Sequence, residues 1–297
     1  AMMCLWAVTQ SAIRNLPKSK LSKIILMKIK LLSLILLASV TNFSCIQTKN
    51  GSNDVMFSHL LSDSGKGDVI EKSYSVDFDE LQISSSLSAE VYKSNVEKIV
   101  VYAPSDLMQY VVVKQEGRKV QVKIQSKGKL NISTDRIKIK VYAKDFDGLV
   151  ANSSGSITLK DDFKFSDLDV KVSSSGNIKG NINGNNINIQ TSSSGEFYGE
   201  VNATNLSMQS SSSGRINIKG KAEIVSAQAS SSGDIKAENL TAVSAVLTSS
   251  SSADITIGVR NSLTASASSS GDINVVKRGD LNKITKNESS SGTINIR

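Results

Sequence analysis

The chain has 297 residues, 39% hydrophobic and 5% aromatic, with 35 lysines and arginines against 27 acids, enough for one large domain or two small ones. The net charge of +8 invites a nucleic-acid reading, and its distribution excludes one. Arg14, Lys18, Lys20, Lys23, Lys28 and Lys30 all precede Cys45 and no acid does, so removing these six from 35 leaves 29 against 27, a net of +2. Nucleic-acid binding calls for clustered basic residues with stacking aromatics, which this remainder does not offer.

In chain order, residues 1–26 belong to no later pattern and begin with Ala1; they read as over-extended reading frame, the alternative being a long basic n-region. From Met27 the pattern is that of a signal peptide over residues 27–45. Lys28 and Lys30 are followed by the apolar run Leu31-Leu32-Ser33-Leu34-Ile35-Leu36-Leu37, small residues and Cys45. The run is too short to cross a bilayer, which takes roughly 20 residues. A cysteine at this place resembles the lipobox of bacterial lipoproteins, in which the thiol is acylated. Asn42 and Phe43 stand where an aliphatic and a small residue are usual, a loose form similar to that of the Bacteroidetes group. Lipidation at Cys45 and membrane attachment through it are therefore expected, with simple secretion as the alternative. Cys4 and Cys45 are the only cysteines, so nothing after the leader closes an internal disulfide.

Residues 46–70 are polar and contain Gly and Ser, and read as a flexible tether. Over 71–150 the pattern is strand-like but irregular: Tyr74–Phe78, Glu97–Tyr102, Tyr110–Lys114, Lys119–Ile124 and Ile137–Tyr142, with a turn at Glu116-Gly117 and a short helical turn over Ser105–Gln109. This region is expected to cover the N-terminal end of the domain's remaining half.

From 151 to 297 an internal repeat takes over. Ser-Ser-Ser-Gly, or a near variant, places its last residue at Gly155, Gly176, Gly195, Gly214, Gly233, Ala253, Gly271 and Gly292, at spacings of 21, 19, 19, 19, 20, 18 and 21. Two residues later stand Ile157, Ile178, Phe197, Ile216, Ile235, Ile255, Ile273 and Ile294, and pairs such as Leu168/Val170 and Ile187/Ile189 precede the triplets. Apolar residues two apart share one face of a strand. Their recurrence at a fixed period stacks like on like in a coil of about 19 residues, rising ~4.8 Å per turn. The fold class is thus all-β, a single-stranded right-handed parallel β-helix with a strand-rich N-terminal cap. A transmembrane barrel would want aromatic girdles, and disorder would not keep eight apolar residues in step.

Continued alternation points the middle serines (Ser174, Ser193, Ser212, Ser231, Ser251, Ser269, Ser290) inward, where stacked hydroxyls would satisfy one another. Each Gly is expected to turn the corner, with Ala253 marking a milder or slightly strained one. Other bends fall at Asn183-Gly184, Asn185-Asn186 and Lys219-Gly220. Lys286 occupies an apolar place in the last repeat, so that coil should fray. The open end is protected by charges such as Lys277, Arg278 and Arg297, in a monomer, or by a second copy in an end-to-end dimer.

With these residues in view, the chain from about Tyr74 to Arg297 resembles the head GIN domain family of auto-transporter adhesins. The likeness is carried by Ile99-Val100-Val101, Val120-Gln121-Val122-Lys123-Ile124, Asn152-Ser153-Ser154-Gly155 and the Ser-Ser-Gly-x-Ile turns such as Gly271-Asp272-Ile273-Asn274. It implies a β-helical cell-envelope protein of Bacteroidetes-like bacteria, at the outer membrane and facing either the periplasm or the outside. It supplies no binding residues.

Catalysis finds little support. A serine nucleophile needs a base, and the only histidine, His59, falls in the expected tether. No Cys/His metal cluster or phosphate-cradling Gly loop appears, and no cofactor is implied. Because β-helices also host polysaccharide lyases and hydrolases, the outward column Asp234, Asp254 and Asp272 is a weak Ca²⁺ candidate, against the plainer reading of solvated turn acids. What remains is a face of Ser, Asn and Thr. It suits an adhesin-like module for glycans or surface proteins, or else a purely structural envelope component; a lyase or hydrolase ranks below both, and an ice-binding face last.

Overall fold

In the computed structural model, residues 64–125 and 132–297 are described. Cys45, the leader, His59 and most of the expected tether lie outside them. The strands in chain order are β1 (Val69–Ser75), β2 (Glu80–Ile83), β3 (Ser88–Lys93), β4 (Lys98–Pro104), β5 (Val111–Glu116), β6 (Lys119–Ile124), β7 (Lys138–Ala143), β8 (Gly148–Ala151), β9 (Ser156–Leu159), β10 (Phe163–Val172), β11 (Asn177–Lys179), β12 (Ile182–Thr191), β13 (Glu196–Ser210), β14 (Arg215–Ala229), β15 (Asp234–Ser249), β16 (Asp254–Ala267), β17 (Asp272–Lys277), β18 (Lys283–Glu288) and β19 (Thr293–Ile296). A 3-10 turn at Met108–Tyr110 realises the short helical turn, displaced toward β5.

The strands form a parallel β-solenoid. Ile157, Ile178, Phe197, Ile216, Ile235, Ile255, Ile273 and Ile294 are ladder partners in unbroken succession. All are buried, the last at 4% exposure and the others at 0%. Each such side chain withdrawn from water contributes roughly 1.5–3 kcal/mol, and the repeat places them so that no coil buries its apolar edge alone. The 20-residue spacing before Ala253 is absorbed as a register shift between Asn217/Lys219, and the drop to 18 after it as shifts between Ala237/Thr241 and Ala242/Ser244, away from that column.

The corners differ from the sequence expectation. The middle serines are exposed, because the second and third serines of each triplet both carry positive φ, as at Ser174 (50°) and Ser175 (59°) or Ser212 (49°) and Ser213 (61°). Two consecutive left-handed residues break strand alternation, and with Gly176 N–H donating to the Ser173 carbonyl at 2.9 Å they match a type I′ turn. L-residues adopt this conformation at a cost. It is offset by main-chain bonds between coils: Ser175 N–H donates to the Ser193 carbonyl at 3.0 Å, and Ser194 N–H to that of Ser212 at 3.2 Å. The inward hydroxyls belong two places before the middle serines, to Thr191, Ser210 and Ser249. Thr191 Oγ1 donates to Ser210 Oγ at 3.0 Å, and Ser210 Oγ to the Gly214 carbonyl at 2.7 Å.

Glycine therefore does not turn the corner. It sits just past it, buried against the preceding coil, where a Cβ on Gly195 would lie 2.4 Å from the Val172 carbonyl oxygen. Ala253 is buried in the same slot, and φ is 57° at both Ser251 and Ser252 before it, so the turn remains left-handed rather than becoming milder.

The stack also begins earlier in the chain than residue 151. Ser84-Ser85-Ser86-Leu87 makes the same left-handed corner, with φ of 61° and 56° at Ser85 and Ser86, and links β2 to β3. These two strands lie parallel on β8 and β9. On their other side lie β6 and β7, so the chain winds one coil, retreats beneath it, then passes over it to β8. The lower coil is covered by antiparallel strands, β5 on β6 and β4 on β7, with β1 on β4. Phe78, Leu107 and Met108 are buried there. Residues expected as tether contribute: Arg136 donates to the Gly65 carbonyl at 2.6 Å, and β1 starts at Val69.

At the other end, β18 is exposed throughout, as Lys286 forecast. Lys286 and Glu288 occupy the inward positions beneath Ala265 and Ala267. Lys286 Nζ donates to the Ile294 carbonyl at 2.8 Å, and Ile294 N–H donates to Glu288 Oε1 at 2.6 Å. Thr293 and Arg297 N–H groups point back to the preceding coil, so those of Ile294 face the open edge. Lys286 and Glu288 thus stand at this edge as inward-pointing charges, which block strand addition. Arg278 is used elsewhere, donating to the Glu238 carbonyl at 2.6 Å.

Candidate binding face

Each coil presents outward residues between its buried ones. On the strand segment that leads into the Ser-Ser corner, register aligns Asp167, Asn186, Asn205 and Ile224 in one column, and Asp169, Asn188, Ser207, Ser226 and Val246 in the next. A third column runs Lys171, Gln190, Gln209, Gln228 and Thr248. The first two line a groove of about 490 Å³, bounded at the N-terminal end by Glu80 and Asp147.

Solenoid stacking determines how these side chains meet. Asn186 Nδ2 donates to Asp167 Oδ1 at 2.8 Å, Asn205 Nδ2 to Asn186 Oδ1 at 2.8 Å, and Asn188 Nδ2 to Asp169 Oδ1 at 2.9 Å. The amides are thereby held in one orientation, each with a second N–H by its chemistry. Asn188 Oδ1 is shielded from solvent and has no hydrogen-bond partner among the described residues. Ile224, 55% exposed, adds an apolar rim. Glu80 is paired with Lys119 at 2.8 Å, which leaves Asp147, Asp167 and Asp169 to set the local charge against Lys171. The arrangement offers ordered donors and acceptors, the chemistry that matches a hydroxyl-rich ligand.

Asp234, Asp254 and Asp272 do form the expected column, on the segment that succeeds the corner. They do not converge on a point. Asp234 faces Lys236 at 2.9 Å and Arg215 at 3.7 Å, and Asp272 accepts from Thr293 Oγ1 at 2.5 Å. Among the described residues no group of three or more His, Cys, Asp or Glu is placed to hold a metal ion. The column shows instead in the titration of Asp254, whose pKa is pushed up by burial, then by the Asp272 and Asp234 carboxylates, with Lys236 opposing.

The groove residues lie outside the sequence expectation, which took outward positions only at the residue after each Gly. Their signal is nonetheless present: Asp167, Asn186 and Asn205 stand 19 apart, as do Asp169, Asn188 and Ser207. Glu80 and Asp147 carry no such signal, since the coil order near the cap departs from chain order.

The family model described as "Putative auto-transporter adhesin, head GIN domain" matches residues 77–196 and 178–279. A crystal structure of a putative lipid binding protein from Parabacteroides distasonis is similar at 25% identity and a TM-score of 0.73, over 80% of this chain and 99% of that one. Putative adhesins from Parabacteroides distasonis (17% identity, TM-score 0.68, 80% and 100% covered) and Parabacteroides merdae (17%, 0.65, 80% and 99%) share the fold. No curated protein matches at a significant level.

Proposed function

Because the chain belongs to the head GIN domain family of auto-transporter adhesins, we propose that it is a non-enzymatic, adhesin-like binding module of the cell envelope, attached through a lipid on Cys45 and contacting glycans through the groove of Asp167, Asn186, Asn188, Asn205 and Ser207. The observation that carries this reading is the oriented amide ladder. Ordering side chains before the ligand arrives lowers the cost of binding, and repeated weak contacts along a chain-like ligand sum to useful avidity. The name of the lipid-binding neighbour suggests an acyl ligand instead; the carboxylates and amides of the groove favour hydroxyls, since burying them against hydrocarbon costs free energy.

A neutral glycan array probed with the full chain tests the groove. One or more glycans should be retained, and Ser207→Arg, which fills the groove, should weaken retention at least tenfold, about 1.4 kcal/mol. Retention of no glycan and no matrix protein would favour a purely structural envelope component. Labelling with a palmitate analogue, absent in Cys45→Ser, tests the anchor. Polysaccharide depolymerisation with Ca²⁺ present, lost in Asp254→Asn, would overturn the non-enzymatic reading.

A further inference from the structure

Three of the six tyrosines of the chain gather where the N-terminal cap meets the first coil, on a different strand segment from the groove. Tyr92 of β3 is the ladder partner of Tyr142 of β7, and Tyr142 is the partner of Lys98 on β4. The two rings stack with centroids 5.6 Å apart and planes 24° from parallel. On the same outer surface Tyr102 of β4 pairs with Lys138, and Lys140 lies beside Val100. Lys98 Nζ stands 5.1 Å from the Tyr142 ring centre and Lys140 Nζ 5.7 Å from that of Tyr102. Tyr92 donates its hydroxyl hydrogen to Glu90 at 2.8 Å, and Lys160 lies 3.4 Å from Glu90. All three tyrosines are half-buried.

A cross-strand aromatic pair supports a sheet by roughly 0.2–1 kcal/mol, and that alone would explain Tyr92 and Tyr142. It does not explain Lys98, Lys138, Lys140 and Lys160 around the rings, against the three acids Glu71, Glu90 and Asp161. Farther along, the column in line with Glu90 runs Thr158, Lys179, Tyr198, Asn217, Lys236, Thr256, Asn274 and Asn295, so its two lysines stand singly and Tyr198 is its one aromatic. Half-buried tyrosines are rigid contact surfaces with little rotamer freedom to lose, and lysines bordering them meet carboxylates or sulfates as charge-assisted donors.

We propose that this Tyr/Lys patch binds an acidic polysaccharide, with sugar rings lying on the Tyr92–Tyr142 platform and the anionic substituents meeting Lys98, Lys138 and Lys140. It rests on the surface-binding reading only in taking a glycan as ligand. The groove is tested with neutral glycans and its own variant, so either reading can fail alone.

The test measures binding of the full chain to heparin, polygalacturonate and neutral dextran at about 0.15 M salt, where free charges are screened beyond about 8 Å. The protein should bind both polyanions and not dextran. Tyr92→Leu with Tyr142→Leu, and separately Lys98→Gln with Lys140→Gln, should each weaken polyanion binding about tenfold or more. Tyr142→Ile alone, which puts a residue of high strand propensity in place of the ring and should likewise weaken polyanion binding, decides the matter where the double tyrosine variant does not fold. No polyanion binding, equal binding of dextran, or loss in the lysine variants with none in the tyrosine variants would overturn the proposal.

Discussion

The two ends of the solenoid are closed by different means. The N-terminal end is covered by whole strands: β4 and β5 lie antiparallel on the lowest coil and bury Phe78, Leu107 and Met108. At the C-terminal end two side chains serve, with Lys286 and Glu288 reaching the Ile294 carbonyl and N–H. A strand cover adds core and ties distant segments together, so it should rise and fall with the whole fold. A side-chain cover adds almost no core and blocks only the addition of another strand. The difference teaches that an exposed β-edge can be managed by packing or by charge, and that only the first contributes much stability.

The largest test compares Phe78→Ala in the cap with Phe197→Ala in the repeat, both residues fully buried. Each should cost about 3–5 kcal/mol in urea unfolding, within one transition. A separate early transition in Phe78→Ala would show the cap to be an attachment and break the comparison.

A second test uses the slot after the corner. In the repeat it holds Gly195, where a Cβ meets the Val172 carbonyl at 2.4 Å. In the first coil it holds Leu87, which is fully buried. Gly195→Ala should therefore destabilise by about 1–3 kcal/mol through overpacking, and Leu87→Gly by roughly 2–5 kcal/mol through a cavity. Thermal melts of the two variants would show one slot damaged by adding carbon and the other by removing it.

At the C-terminal end, Lys286→Ile with Glu288→Val restores the apolar pattern and removes the block. Stability should change by less than about 1 kcal/mol, while light scattering coupled to size exclusion should show concentration-dependent dimers. A monomer at every concentration would mean the charged pair is not what guards the edge.

The smallest effect concerns pH. Burial first, then Asp272 and Asp234, hold the Asp254 pKa above the ordinary carboxylate value. A carboxyl with a raised folded pKa favours the fold while protonated, below its ordinary value, and loses that contribution as pH rises through the raised one. Asp254→Asn should therefore leave acid stability nearly unchanged and raise the melting temperature near pH 7. Since Asp254 is only partly desolvated and keeps much of its surface in solvent, the gain should stay under about 1 kcal/mol, some 2–4 °C at most. A melting temperature lower than that of the parent chain near pH 7 would contradict the like-charge account.

The repeat determined most of the fold by itself. A period of about 19 carried through Ile157 to Ile294 leaves one economical arrangement, because equivalent residues bury one another only when coils stack. It also made the frayed last coil legible, since Lys286 stands in an apolar column. The corners were not legible. Sequence alternation assumes an unbroken strand, and two left-handed serines are stabilised by bonds to neighbouring coils that no single repeat contains. The cap, the Tyr92–Tyr142 platform and the Glu80–Asp147 end of the groove were decided by tertiary structure, because β2, β3, β6 and β7 stack out of chain order. Periodicity reports neighbours along a regular winding. Where the chain doubles back beneath its own first coil, contacts join residues some 40 to 70 apart, and only three-dimensional packing chooses them.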